Sequence, residues 1–181
     1  MFDRHKISRL AALLVSLVVA ACATPVARES PAHATATDAC QATGGVGWDV
    51  AVELDRADAS ALALTLGRQI ATCRASRDGT GFGNTSVAVG AYPEASPDVL
   101  SYLTRQTAGK ESILVGRYPA DARGVRVTFQ DGSSQGATLG DGLWLAWASG
   151  AGDPVQIEAL NSSGTPMKQI ADPNGIEPSD Q

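Results

Sequence analysis

Ser134 sits in Gly132-Ser133-Ser134-Gln135-Gly136, the G-x-S-x-G pattern in which hydrolases present a nucleophile on a strand-to-helix elbow. That chemistry needs a histidine later in the chain to take the serine proton. Both histidines, His5 and His33, lie upstream, and residues 131–136 read as a hairpin turn entering a strand. A serine–lysine dyad with Lys110 or Lys168 is the remaining hydrolase route, and no spacing brings either lysine to Ser134. The carboxylate pairs Asp55 with Asp58 and Glu94 with Asp98 have the residue types for acid–base cleavage of a glycoside. Each pair lies at a turn or a helix start, where acids satisfy backbone donors. Residues 78–84 carry glycines but no acidic ligand at the calcium-loop position and no dinucleotide spacing. No histidine or cysteine set has the spacing of a zinc site. The chain therefore reads as non-enzymatic: no catalytic residue, no metal and no cofactor is assigned.

Trp144 and Trp147 are the residues with most to offer a partner. In an extended Leu143 to Ala148, Trp147 shares a face with Leu143 and Leu145, and Trp144 shares the other with Ala146. Two faces with one aromatic each demand either cover on both sides or an exposed tryptophan as a platform for a sugar or a protein. The covered arrangement is the expectation; the exposed one makes Trp144 and Trp147 a binding surface.

The elements that must carry these residues begin with an address. Arg4, Lys6 and Arg9 precede an uncharged apolar run from Leu10 to Ala20, and eleven such residues are too few to span a bilayer, which takes roughly 20. The run ends in Val19-Ala20-Ala21-Cys22, which resembles the lipobox of bacterial lipoproteins. The resemblance implies a signal peptide over 1–21, a diacylglycerol on Cys22 as the mature N-terminus, and a location outside the cell membrane, or on the periplasmic side of an envelope membrane in a two-membrane cell. Two acyl chains suffice for stable anchoring. Residues 22–38 are mostly Ala, Thr, Pro and Ser, a composition that cannot bury a core and reads as a flexible tether; His33 is one of its solvated residues. Three cysteines are odd for an exported protein. Lipid on Cys22 resolves the count, and leaves Cys40 and Cys73 to pair in an oxidising compartment.

The whole chain carries a net charge of −5, and the signal removes three basic residues for one acid, so the mature protein is more acidic still. Such a chain has no basic stripe to neutralise phosphates, which excludes nucleic acid as a partner. It also leaves attachment to the membrane to the lipid.

The folded region is expected as a single β-rich domain over 39–170, with a disordered tail over 171–181. Trp48, Val50, Val52 and Leu54 alternate as a half-buried strand. Residues 61–66 and 69–75 read as paired strands around a Gly67-Arg68 turn, with a helix over 58–73 as the rival. Residues 76–84 read as a loop and 85–90 as a strand. Ser96-Pro97-Asp98 has the chemistry of a helix start and Gly109 that of a stop, predicting one short helix over about 97–108. Strands at 113–118, 125–129, 135–139, 143–148 and 155–160, joined by short turns, read as an antiparallel meander, with an edge strand near Met167. From Val115 to Ala159, an alternating aliphatic strand, Asp131-Gly132, and Asp141-Gly142-Leu143-Trp144-Leu145-Ala146-Trp147 resemble a small β-domain of uncharacterised envelope proteins in high-GC Gram-positive bacteria. That resemblance implies a β-rich fold and no assigned activity.

The expectation is a mainly β protein, an antiparallel sheet or sandwich with one short helix, held at a membrane by lipid. Its leading role is binding or presenting an envelope protein or glycan. A hydrolase centred on a serine and a structural envelope component are the alternatives.

Overall fold

The computed structural model describes residues 35–78, 81–91 and 99–173. The expected signal peptide, Cys22 and most of the expected tether lie outside the described residues, as do 174–181. Mainly β, with antiparallel sheets and one short helix, the fold stacks a helix and three four-stranded sheets in four layers.

The outermost layer is α1 (Ala36–Gly44). The first sheet holds β1 (Asp49–Asp55), β2 (Ala59–Leu66), β3 (Gln69–Asp78) and β4 (Gly81–Ala91) in chain order. Next come β5 (Ser101–Ala108), β6 (Glu111–Arg117), β7 (Gly124–Phe129), β8 (Ser134–Gly136), β9 (Thr138–Gly140), β10 (Leu143–Ser149), β11 (Pro154–Leu160) and β12 (Pro166–Ala171). These divide between a second sheet, ordered β5-β6-β10-β9, and a third, ordered β12-β11-β7-β8.

Each interface has its own apolar core. Ala36, Ala39 and Cys40 of α1 pack with Leu62, Leu64, Ala71 and Ala75 on the outer face of the first sheet. The inner face gives Val52, Ala61, Ala63 and Ile70 to meet Ile113, Val115, Leu145 and Trp147 of the second sheet. On its other side the second sheet gives Leu114, Trp144 and Ala146 to meet Val125, Val127, Phe129 and Ile157 of the third. The Cys40–Cys73 disulfide, with Cα atoms 6.0 Å apart, ties α1 to β3 across 33 positions of sequence. Closing a loop of that size contributes roughly 3 to 4 kcal/mol on the chain-entropy view.

The hairpin expected at 61–75 is present: Leu66 pairs with Gln69, and Gly67 takes φ +58° in the first of two loop positions. The helix expected over about 97–108 is not: residues 101–108 form β5, and 92–98 lie outside the described residues. The reason is the same turn chemistry met a second time. Gly109 takes φ +62° and opens a two-residue Gly109-Lys110 loop that pairs Ala108 with Glu111, so it begins a hairpin and does not end a helix. Tyr102 then packs in the core facing the third sheet and Leu103 in the core facing the first, the opposed faces that a strand gives to neighbours.

The short helix lies instead at 36–44, partly inside the expected tether. Thr35 caps it, its Oγ1 accepting from the Asp38 N–H at 3.0 Å and donating to Asp38 Oδ2 at 2.7 Å. The first bond satisfies one open N–H of the helix start and the second holds the hydroxyl in place, with the Asp38 carboxylate in the first turn, where acids are favoured. The stretch expected as a loop over 76–84 is mostly the ends of β3 and β4, with 79 and 80 outside the described residues.

The expected meander is also replaced. β6 and β10 pair with each other in the second sheet, while β7 and β11 pair in the third. The expected strand 135–139 is split at Ala137, whose N–H donates to Val125 O at 2.8 Å. β8 before it belongs to the third sheet and β9 after it to the second. This crossing is how the two sheets share one chain.

Two glycines mark backbone approaches that no side chain would allow. A Cβ on Gly140 would lie 2.3 Å from Ala51 O, where the first sheet meets the second. A Cβ on Gly116 would lie 1.9 Å from Ser101 O and 2.5 Å from the Trp144 indole. Gly116→Ala should therefore lower unfolding stability by about 3 kcal/mol, at the upper end of overpacking costs. Gly136→Ala, where nothing lies within 4 Å, should change it by no more than about 0.5 kcal/mol. Denaturant titration followed by tryptophan fluorescence measures both, and equal midpoints would refute the close-approach argument.

A cationic cleft at one end of the second sheet

The tryptophans supply no binding surface. Trp144 is fully buried and Trp147 is 1% exposed, which corrects their candidacy as a platform and bears out the reading that both faces are covered. Trp144 Nε1 donates to Ser101 O and Arg117 O, each at 3.1 Å, and its ring stacks on Tyr102 with centroids 6.4 Å apart. Trp147 is sealed by the protein's own cations. The Arg56 guanidinium lies 4.2 Å from its ring centroid and that of Arg74 lies 5.7 Å away. Glu111 binds both arginines, accepting from Arg74 Nε at 2.9 Å and lying 3.6 Å from Arg56 Nη1. Aromatic faces attract such cations, and the result is a clasp between the first two sheets.

Ser134 is no nucleophile elbow. It opens the short edge strand β8, with no helix following, and its Oγ pairs with Thr128 Oγ1 across the strands at 2.9 Å. Ahead of it, Asp131 accepts from the Ser133 N–H at 2.9 Å and from Ser133 Oγ at 2.6 Å, a turn closed by its own side chains. Of the carboxylate pairs, Asp55 accepts from Ser60 Oγ, and Asp58 offers its backbone carbonyl to the Arg77 N–H at 2.7 Å. Their neighbour Glu53 has its pKa raised, first by burial and then by the charge of Asp55. Glu94 and Asp98 lie outside the described residues.

What the fold does bring together is a cleft of about 410 Å³ lined by Arg105, Thr107, Lys110, Ser112, Gly150 and Gly152, within the usual size of small-molecule sites. The β5–β6 hairpin builds one wall and the loop from β10 to β11 the other. Thr107 and Ser112 are direct cross-strand partners, and Arg105 pairs with Leu114. Leu114 and Ala148, the β10 partner of Ser112, belong to the core facing the third sheet. The cleft is thus the polar end of that interface. Its loop wall is fixed at two points: the Gly150 N–H donates to Lys110 O at 2.8 Å, and the Gln130 N–H donates to Asp153 O at 2.9 Å. Gly150 at φ +71° and Gly152 at φ +79° let the loop turn there.

Arg105 is held in place by the site itself. Its Nε and Nη2 donate to Ser112 Oγ at 3.2 and 2.9 Å, and its Nη1 donates to Asp153 Oδ1. Ser112 is 5% exposed, so this oxygen is an orienting acceptor. Lys110 brings a second positive charge to the rim from the exposed hairpin turn. No family model, curated protein or solved structure matches this chain.

Of these residues the sequence pattern offers only Lys110, as a dyad partner for Ser134; nothing in it singles out Arg105, Ser112 or Asp153. The Gly109-Lys110 turn was the signal that would have found three of the four, because a hairpin there sets Thr107 opposite Ser112 and Arg105 two positions further along the same strand.

The Asp131 turn carries its own pH signature. Hydrogen bonds from Ser133 hold the Asp131 carboxyl below the ordinary aspartate range. A carboxyl whose folded pKa is depressed adds stability that is present above the unfolded pKa and lost as pH falls through the folded one. An NMR titration should place the Asp131 midpoint below that of an unbonded aspartate, and Ser133→Ala should move it upward; an unmoved midpoint would refute the assignment.

Proposed function

We propose that this protein is an exported lipoprotein, anchored through a lipid on Cys22, whose β domain is a non-enzymatic module that binds a partner at the membrane surface. The observation that carries the binding role is the cleft at the end of the second sheet. It combines a recessed volume with an arginine fixed by two neighbours, which is preorganisation for a ligand. Partners of this class are envelope proteins or glycans, and the acidic chain speaks against nucleic acid.

The anchor is supported by two features. The Val19-Ala20-Ala21-Cys22 sequence stands directly behind the apolar run, and the Cys40–Cys73 bond leaves Cys22 as the remaining cysteine of three. In the mature protein the lipid provides residence at the membrane. The chain between Cys22 and Thr35 provides reach.

A hydrolase using Ser112 with Lys110 is the competing reading, since both line the cleft. A serine nucleophile must pass its proton to a base. Ser112 Oγ accepts two bonds from Arg105, whose guanidinium cannot take a proton at neutral pH, and among the described residues no side-chain bond joins it to Lys110. The local bonding favours recognition over acyl transfer.

Cys22→Ala should leave the protein unprocessed or release it from membranes in cell fractionation; unchanged mature mass with full membrane retention would end the lipoprotein reading. Incubation with a fluorophosphonate should leave the purified protein unlabelled. Labelling that disappears in Ser112→Ala or Ser134→Ala would replace the binding module with an enzyme.

A further inference from the structure

We infer that the cleft between the β5–β6 hairpin and the Gly150–Asp153 loop is a site for a singly charged oxyanion, a carboxylate or a phosphodiester, carried on a small polar molecule. The inference rests on the reading of the domain as a binding module and names the chemistry that its cleft selects.

The first argument is the donor arithmetic of Arg105. A guanidinium has five N–H groups in a fixed plane. Among the described residues, Ser112 takes one from Nε and one from Nη2, and Asp153 takes one from Nη1. One N–H remains on each terminal nitrogen. Those two are the donors left for the oxygens of a carboxylate or phosphate group. Ser112 and Asp153 fix the plane of the guanidinium before any ligand arrives, so little side-chain freedom is lost on binding.

Charge is the second argument. Arg105 and Lys110 are two cations in the cleft, and Asp153 compensates one of them through Arg105. The site is left with about one unit of positive charge, in a chain whose overall charge is −5. A monoanion neutralises it. A dianion would place a second negative charge close to the Asp153 carboxylate. The long-range field of an acidic protein also repels highly charged anions. The Thr107 hydroxyl, exposed on the hairpin wall, and the glycines at 150 and 152, which bring backbone close to the cavity, suit the polar body that carries the anion.

Lys110 and Arg105 contribute differently. Lys110 sits on a turn and acts as a point charge, whereas Arg105 orients the oxyanion through its two remaining N–H groups. Replacing the guanidinium by a single ammonium should cost more than removing the rim charge.

Isothermal titration calorimetry of the purified lipidated protein in non-ionic detergent tests this, with sodium glucuronate, dimethyl phosphate and glucose as probes. Saturable binding of glucuronate or dimethyl phosphate is expected, and which of the two binds tighter identifies the carrier as carboxylate or phosphodiester. Arg105→Lys should weaken that binding by about tenfold or more, as expected for loss of a charge-assisted hydrogen bond. Lys110→Gln, at an exposed turn where folding is not at risk, should weaken it severalfold and flatten its salt dependence. Absence of saturable heat with both oxyanions would overturn the inference, as would wild-type affinity in Lys110→Gln. Glucose binding as tightly as glucuronate would overturn the oxyanion preference while leaving the module reading intact. Serine labelling by a fluorophosphonate would overturn that reading whatever the titrations give.

Discussion

The second sheet has two apolar faces, and that constraint governs the whole architecture. β10 is buried along six of its seven residues, with Trp144 and Trp147 pointing to opposite sides. An indole buries on the order of 150 to 250 Å². At about 25 cal/mol per Å², burial of each tryptophan contributes at most roughly 4 to 6 kcal/mol. Neither face can be left to water without forfeiting a large part of a typical domain's net stability. A two-layer sandwich covers only one side of each sheet, so the chain builds a third sheet. The first and third sheets are then covers for the second, and α1 covers the outer face of the first.

Stacking sheets in this way forces polar chemistry to the ends of the interfaces. The apolar residues of β6 and β10 run out at Glu111 and Ser149, which pair with each other. There the two faces of the second sheet finish in different ways. Toward the first sheet, Arg56 and Arg74 fold over the rim of Trp147 and share Glu111. Two cations on one carboxylate, with an aromatic face as the other partner, close that edge. Toward the third sheet, Arg105 meets Ser112 and Asp153, and the glycine loop stands off from the hairpin. That edge stays open. The same problem, ending an apolar interface in water, is solved by a clasp on one face and by a cleft on the other.

Much of the fold was legible in the sequence because period two survives burial on one side. Val125, Val127 and Phe129 alternate with half-buried neighbours, and the Gly67-Arg68 turn fixed its hairpin. Strand partners were not legible, because alternation names a face and says nothing of which strand lies beside it. That is why 113–160 looked like a meander, when successive strands are dealt to two layers. The helix lies at 36–44 and not over 97–108 for a more local reason. Ser96-Pro97-Asp98 carries strong start signals, while Thr35 and Asp38 carry a quieter one in a stretch whose composition suggested a tether. Gly109 served equally as a helix stop or as the first residue of a hairpin loop. A helix over 97–108 leaves no hairpin there, and Arg105 reaches Ser112, its diagonal neighbour on the next strand, only when β5 is a strand.

Under the proposed anchoring through Cys22, α1 and the disulfide take on a further role. A helix of nine residues is marginal in isolation, and it is the first described element after the stretch that leads from Cys22. Load from such an anchor would enter the described fold at Thr35 and meet α1 first. Packing alone would leave the helix free to peel from Leu62 and Leu64, exposing the outer face of the first sheet. The Cys40–Cys73 bond bypasses that weakness, since Cys73 lies in β3, paired on one side to Leu62 of β2 and on the other to Val87 of β4. The covalent path runs from the helix directly into an interior strand, whose ladders on both sides share the load. The bond thereby joins α1 to the layer that covers Trp147, so that under the proposed anchoring the two-faced second sheet would keep its cover where the chain is held.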